Sequence, residues 1–268
     1  MANGPDFSAI KVKQQAAWAT GDYAVVGSTL VLMPELLCEA MDLRSGWTVL
    51  DVAAGSGNAS LAAARRGCRV TSTDYVPSLL ERGKVRSKAE GFEITFQEAD
   101  AENLPFGDGS FDALMSTVGV MFAPNQARAA AEMFRVCRAS GKIGLANWTP
   151  AGFVGQMFKC IGKHLAPAAG LRPPFVWGTE DGLKELFPEA SAMKVQVKHF
   201  MFRSPSPEDW LDVFKTYYGP MNRTFAALDD SGRAALTADL MALVASLNRA
   251  EDGTMVVPSE YLEVVITK

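Results

Sequence analysis

Histidine is scarce in this chain of 268 residues: only His164 and His199 are present. Two imidazoles cannot build a histidine-rich metal site, and no metal is expected. The four cysteines, Cys38, Cys68, Cys137 and Cys160, never stand as Cys-x-x-Cys, so neither a zinc knuckle nor a disulfide framework is suggested. A basic surplus is also missing. Lys and Arg number 26 against 30 Asp and Glu, giving a net charge of −4 and a pI near 5.4. Nucleic-acid binders usually carry excess positive charge, so no nucleic-acid partner is expected. No stretch approaches the length of uninterrupted apolar sequence that a membrane span needs. The start, Met-Ala-Asn-Gly-Pro-Asp, lacks the basic beginning and apolar run of a signal peptide. These absences make a cytoplasmic location the expectation.

What is present suits an ordinary folded domain. Apolar residues make up 48% and charged residues 21%, enough to bury a sizeable core. The length fits one large domain, or a core carrying a cap. Residues 8–43 read as helical, with Pro34 breaking or kinking the run. From there strands and helices alternate. Strands are expected at 48–52, 69–73, 93–97, 111–116 and 141–147, with helices at 58–66, 78–89 and 127–138 between them. This rhythm implies βαβ units and a parallel sheet. Past Pro150 it stops: residues 151–190 carry several Pro and Gly and show no βα pattern. A strand at 193–202, a helix at 207–218, one or two helices at 222–248 and a final strand at 261–267 complete the reading.

The chemistry concentrates at the ends of the early strands. The first βα turn reads Val49-Leu-Asp-Val-Ala-Ala-Gly-Ser-Gly-Asn-Ala-Ser60. Small residues there let backbone approach a ligand, and the helix that follows presents free N–H groups. Alone, Gly55-Ser-Gly57 fits any tight turn. Asp74 ends the second strand, where an acid can accept both ribose hydroxyls of an adenosine-containing cofactor. Its simpler role is to cap the next helix. Tyr75 can stack on adenine. Asp100 can accept from the adenine amino group, with the Ala101 N–H meeting a ring nitrogen. Acids at three successive strand ends, together with a glycine turn, are far more specific than any one of them.

With these motifs in order, the chain resembles class I S-adenosylmethionine (SAM)-dependent methyltransferases, in the group of small-molecule enzymes like the ubiquinone/menaquinone C-methyltransferases. The matching segments run from about residue 47 to 148: Val49–Gly57, Ser72–Tyr75, Asp100–Phe106, Phe111–Thr117 and Glu132–Lys142. The family's usual first glycine is Ala53 here, which still allows close approach if its φ stays negative. The resemblance implies an α/β fold: a Rossmann-like, doubly wound, seven-stranded, mostly parallel sheet of order 3-2-1-4-5-7-6, with a helical cap inserted after strand 5. It divides one domain into an N-terminal helical lid (1–44), a SAM-binding core (45–150), a substrate-side cap with strand 6 (151–258) and a final strand (259–268). It implies that Ala53, Gly55 and Gly57 line the amino-acid part of SAM. Asp51 orients that loop and helps hold the SAM ammonium, and Asp74 binds the ribose. Tyr75, Asp100, Ala101 and Glu102 surround adenine. Thr117 offers its carbonyl to the SAM amine, and Phe122 faces the methyl group or packs the core. On this reading Gly57→Val blocks the cofactor while leaving stability nearly intact.

Methyl transfer to a nucleophile relies mainly on alignment and a dry site, because the positive sulfur already activates the leaving group. A general base is optional; His164 is the candidate, as a residue of the cap, with His199 behind it. Twelve of the 25 aromatics fall between 148 and 218. They suggest an apolar pocket for a small methyl acceptor, with Trp148 and Trp177 leading on the substrate side. Trp18 and Tyr23 could fold over SAM as a lid; helix packing is their simpler role. Two other functions stay open at this level. One is a SAM-binding module without catalysis. The other is an NAD(P)-dependent oxidoreductase, although Ser60 replaces the third glycine of G-x-G-x-x-G. A monomer or homodimer is expected.

Overall fold

The computed structural model describes residues 5–167 and 170–268. Most of the N-terminal stretch read for a signal peptide, residues 1–4, lies outside the described residues, as do positions 168–169 of the expected cap. Three helices lead in: α1 (Phe7–Trp18), α2 (Tyr23–Gly27) and α3 (Leu32–Met41). The α/β core follows as β1 (Thr48–Val52), α4 (Asn58–Arg65), β2 (Arg69–Asp74), α5 (Pro77–Ala89), β3 (Ile94–Glu98), β4 (Phe111–Thr117), α6 (Gln126–Val136) and β5 (Cys137–Trp148). The second half adds α7 (Phe153–His164), α8 (Glu180–Leu186), β6 (Ala192–Ser204), α9 (Pro207–Tyr217), α10 (Gly219–Ala227), α11 (Asp230–Leu247) and β7 (Met255–Thr267).

All seven strands form one sheet in the order β3-β2-β1-β4-β5-β7-β6. The first five are parallel, and β7 runs antiparallel between β5 and β6. β1 is buried along Val49–Val52, as a central parallel strand covered on both faces must be. The chain leaves β1 toward β2 on one side and later returns to β4 on the other. That reversal opens a crevice at the carboxyl ends of β1 and β4, where doubly wound sheets bind ligands.

Several boundaries differ from the sequence reading. The helical run of 8–43 breaks at Gly21 (φ +77) and Asp22, whose side chain caps α2, and bends again by 50° between Leu30 and Leu32, one turn ahead of Pro34. Pro34 lies in the first turn of α3, where its missing N–H has no intrahelical partner to lose. Residues 137–138 belong to β5, not to the preceding helix, because α6 passes into the strand directly at Cys137. The final strand begins at Met255, so the expected boundary at 259 is four residues late. Pro258 stands inside it. There β7 pairs only with β6, since pairing with β5 begins at Tyr261, and the missing N–H costs nothing on that side. Helices α7 and α8 occupy a region where the sequence showed no periodicity.

Candidate active site

The turn after β1 is wound in the left-handed region at three of its five residues: Ala53 (φ +53), Gly55 (φ +55) and Gly57 (φ +81). The expectation of a negative φ at Ala53 is therefore corrected. Left-handed backbone costs an ordinary L-residue roughly 1–2 kcal/mol. Across the crevice Val118, a β-branched residue, is also left-handed at φ +48. Between them Gly119 packs so closely that a Cβ would stand 2.2 Å from the Ala53 carbonyl oxygen. Strain is thus gathered on both walls of the crevice, as at many functional sites.

Two buried carboxylates organise the walls. Asp51 lies at the end of β1, and its Oδ2 accepts from both the N–H and the hydroxyl of Ser60 at 2.7 Å. Its Oδ1 is buried and has no partner among the described residues. Burial, helped by the nearby Asp74 charge, pushes the Asp51 carboxyl up to about 7 against the pull of the Ser60 bonds. Asp74 ends β2. Its Oδ2 accepts from the Gly55 N–H at 2.8 Å and its Oδ1 from the Val76 N–H at 2.9 Å. Burial holds its carboxyl up at about 6, although these backbone bonds favour the charged form. A second unpaired atom among the described residues, the Thr117 hydroxyl, is buried at the end of β4.

Asp51, Ala53, Gly55, Asp74, Tyr75, Asp100, Ala101, Thr117 and Phe122 line one cleft, joined by Trp18 and Tyr23 from the N-terminal helices. Lys11 of α1 lines it too and was missed, because nothing in its local sequence separates it from any surface lysine. Its Nζ lies 2.6 Å from Asp100 Oδ2 and 2.6 Å from Glu102 Oε2. Asp100, expected to serve adenine, is therefore already paired, with its Oδ1 accepting from the Glu102 N–H at 2.9 Å. Each carboxylate oxygen retains a second lone pair. The side chain of Gln15 donates to the Tyr75 carbonyl, so α1 lies over the β2 and β3 ends of the cleft.

Other expected site residues stand elsewhere. Glu102 is buried behind the cleft wall, where it accepts from the Asn125 N–H at 2.7 Å. Gly57 is the N-cap of α4 and does not line the cleft. Gly57→Val is now expected to lower stability by about 1–2 kcal/mol, because φ +81 strains any side-chain-bearing residue. Thermal melts check this, and an unchanged midpoint would mean that the turn relaxes freely. Trp177 is fully buried against Phe187 in the cap core, with ring centroids 5.8 Å apart. His164 ends α7 with its Nε2 3.1 Å from Asp239 Oδ2, outside the cleft lining, which removes it as the general base. His199 borders a groove on the outer side of β6. Trp148 does reach the site side: it lines a second chamber adjoining the cleft.

The fold and cleft define a Rossmann-like enzyme core that holds a small cofactor at the β1–β4 crevice. A family model described as a methyltransferase domain matches residues 50–145. The uncharacterized protein Rv1403c of Mycobacterium tuberculosis is 41% identical over 226 residues, covering 83% of this chain and 82% of that protein. The demethylmenaquinone methyltransferase of Deinococcus radiodurans is 32% identical over 126 residues, 46% of this chain and 52% of its own length. Among solved structures, the YcgJ protein of Bacillus subtilis aligns with a TM-score of 0.62 at 17% identity, covering 88% of this chain and 97% of that one. This last likeness concerns the fold. The chain belongs to the class I SAM-dependent methyltransferases, with S-adenosyl-L-methionine as its cofactor. The residues present fit that molecule: an unpaired buried carboxylate oxygen suits its ammonium, and a second carboxylate at the end of β2 suits its ribose.

Proposed function

We propose that the protein methylates a small, fairly apolar acceptor, taken up beside the cofactor in a chamber walled by aromatic rings. The observation that carries this reading is the shared wall. Trp18, Tyr23, Leu30, Val118 and Phe122 line both the cofactor cleft and a small apolar chamber that extends to Trp148, Met157, Phe202 and Tyr218. Among the described residues, no charged side chain lines that chamber. A phosphate-rich or strongly charged acceptor would be desolvated there without a partner.

Bound in the cleft, S-adenosylmethionine supplies an activated methyl group for in-line transfer. The chain's own part is to bind, orient and exclude water. Asp51 and the Thr117 carbonyl hold the ammonium end, Asp74 the ribose, and Tyr75, Ala101 and Asp100 surround adenine. The helices α1 and α2 cover the cleft as a lid. Lys11 ties α1 to Asp100, and Arg82 pairs with Asp22 at 2.7 Å beside α2. Trp18 and Tyr23 face the acceptor from that lid. Among the described residues no single helix is long and apolar enough to cross a membrane. We place the protein in the cytoplasm as a monomer or homodimer.

The test is an acceptor panel of apolar phenols, amines and carboxylic acids, with S-adenosylhomocysteine release as the readout. Turnover with an apolar member is expected. Methylation of nucleic acid or peptide in preference to every small acceptor would overturn the substrate reading.

A further inference from the structure

Helix α1 lies over the β2 and β3 ends of the cofactor cleft, yet little apolar packing holds it there. None of its residues is fully buried, and Val12 is 67% exposed. A free helix of 12 residues is marginal in water, so its place depends on contacts with the rest of the fold. Those contacts differ along its length. At the carboxyl end Trp18 packs edge-on against Phe122 and Tyr218, with ring centroids 5.1 and 5.7 Å away. One residue earlier the backbone meets α10: a Cβ on Gly219 would stand 2.1 Å from the Ala17 carbonyl oxygen. This end is pinned to the cap.

The rest of the helix is held to the cleft by polar groups. Lys11 Nζ bridges Asp100 Oδ2 and Glu102 Oε2, both at 2.6 Å, and Gln15 donates to the Tyr75 carbonyl. Tyr75 and Asp100 line the cleft from the core, and Lys11 lines it from the helix. The ion pairs therefore join lid to wall. Among the described residues no other cation pairs with either carboxylate. Glu102 is 6% exposed, so parting it from Lys11 strands a buried charge. The bridge does not exhaust Asp100, whose oxygens keep lone pairs for an adenine amino group.

We propose that Lys11 is a positioning residue that latches α1 across the adenine end of the cleft, and that the cofactor enters and leaves only when this bridge opens. This rests on the reading of Tyr75, Asp100 and Ala101 as the adenine site. The moving part is α1 alone, because α2 buries Val26 and Gly27 and stays with the core. Opening breaks two charge-assisted bonds and swings the amino end of α1 away from its pinned carboxyl end. The bridge is made by the chain itself and leaves the adenine acceptor free, so it holds the closed form equally in the empty and the loaded protein. A latch with no preference between those two states slows exchange in both directions and leaves affinity almost unchanged.

The experiment follows S-adenosylhomocysteine association and dissociation by stopped flow in the full-length protein. Amide hydrogen exchange across α1 is read without ligand. Lys11→Met should raise both rate constants about three- to tenfold, the worth of a partly screened ion pair, while the dissociation constant shifts by less than about twofold. Glu102→Gln keeps an oxygen for the Asn125 N–H and should act in the same direction more weakly. Lys11→Arg should restore wild-type rates. Lys13→Met, which removes an exposed charge from the same helix, should change nothing. Exchange across α1 should quicken in Lys11→Met as the rates do. A rise in the dissociation rate alone makes Lys11 a direct cofactor contact and overturns the latch. So do unchanged rates in Lys11→Met and Glu102→Gln, or α1 exchange that stays at the wild-type level. Failure of the wild type to bind S-adenosylhomocysteine counts against the cofactor reading alone, because exchange across α1 still reads the latch.

Discussion

Asp51→Asn is expected to weaken SAM binding about a hundredfold at pH 8 while leaving the fold intact. That factor corresponds to about 2.7 kcal/mol, near the range for charge-assisted or buried charge pairs that lose one partner. Asparagine keeps an oxygen for the Ser60 N–H and hydroxyl, which Asp51 Oδ2 now meets at 2.7 Å. It removes the charge and the unpaired Oδ1 that face the cleft. The pH dependence follows. The Asp51 carboxyl titrates near 7 in the ligand-free fold, and a cationic ligand binds its ionised form. Wild-type affinity should level off by pH 8 and fall as pH drops below 7, whereas the Asp51→Asn variant should be flat between pH 6.5 and 8. Stability moves the other way. A carboxyl raised above its unfolded value stabilises fully only below that unfolded value, and the gain is lost as pH rises through about 7. Without ligand, the Asp51→Asn variant should therefore melt higher than wild type at pH 8, and the gap should narrow toward pH 4. Titration calorimetry and melting curves read both effects. A wild-type affinity that stays constant from pH 6.5 to 8 would remove Asp51 from the ammonium site.

The core was legible because its signals are local. Thr48–Val52 is a short apolar run, the turn after it is small residues, and Asp74 sits where a strand stops. Each depends on near neighbours in sequence, so β1, β2 and their junction could be placed and Asp51, Gly55 and Asp74 assigned to one cleft. The sheet order and the edge arrangement of β6 and β7 came from family resemblance, not from periodicity. What the sequence hid depends on long-range contact. Lys11 gains its place only when α1 folds across 89 residues of separation onto Asp100. Pro258 argues against a strand until the sheet shows that β7 outruns β5 there. Trp177 and Trp148 look alike as cap aromatics, yet one fills the core and the other lines the chamber. His164 has the right chemistry for a base, but α7 turns it toward Asp239 on α11. Backbone strain was invisible as well: alanine at 53 gives no sign of a left-handed φ, which arises where the turn meets Gly119.

Asp74→Ala is expected to cost SAM about 1.5–3 kcal/mol of affinity, roughly ten- to a hundredfold. Asp74 is 5% exposed, and its two oxygens already hold the Gly55 and Val76 N–H groups. Removing it takes away the acceptor proposed for the ribose and also frees the backbone that shapes the glycine turn. The buried charge itself opposes the fold at neutral pH, since its carboxyl is raised to about 6, and losing that charge offsets part of the lost hydrogen bonding. The melting temperature should thus change less than the affinity does. A truncated ligand separates the two acids. 5′-Methylthioadenosine keeps the ribose and adenine but has no amino-acid end. Asp74→Ala should weaken this compound and SAM alike, whereas Asp51→Asn should weaken SAM and leave 5′-methylthioadenosine nearly untouched. Equal losses for both ligands in both variants would mean that the acids act only by holding the turn. Undiminished 5′-methylthioadenosine binding in a folded Asp74→Ala protein would remove Asp74 from the ribose site, because no other carboxylate at the end of β2 lines that part of the cleft.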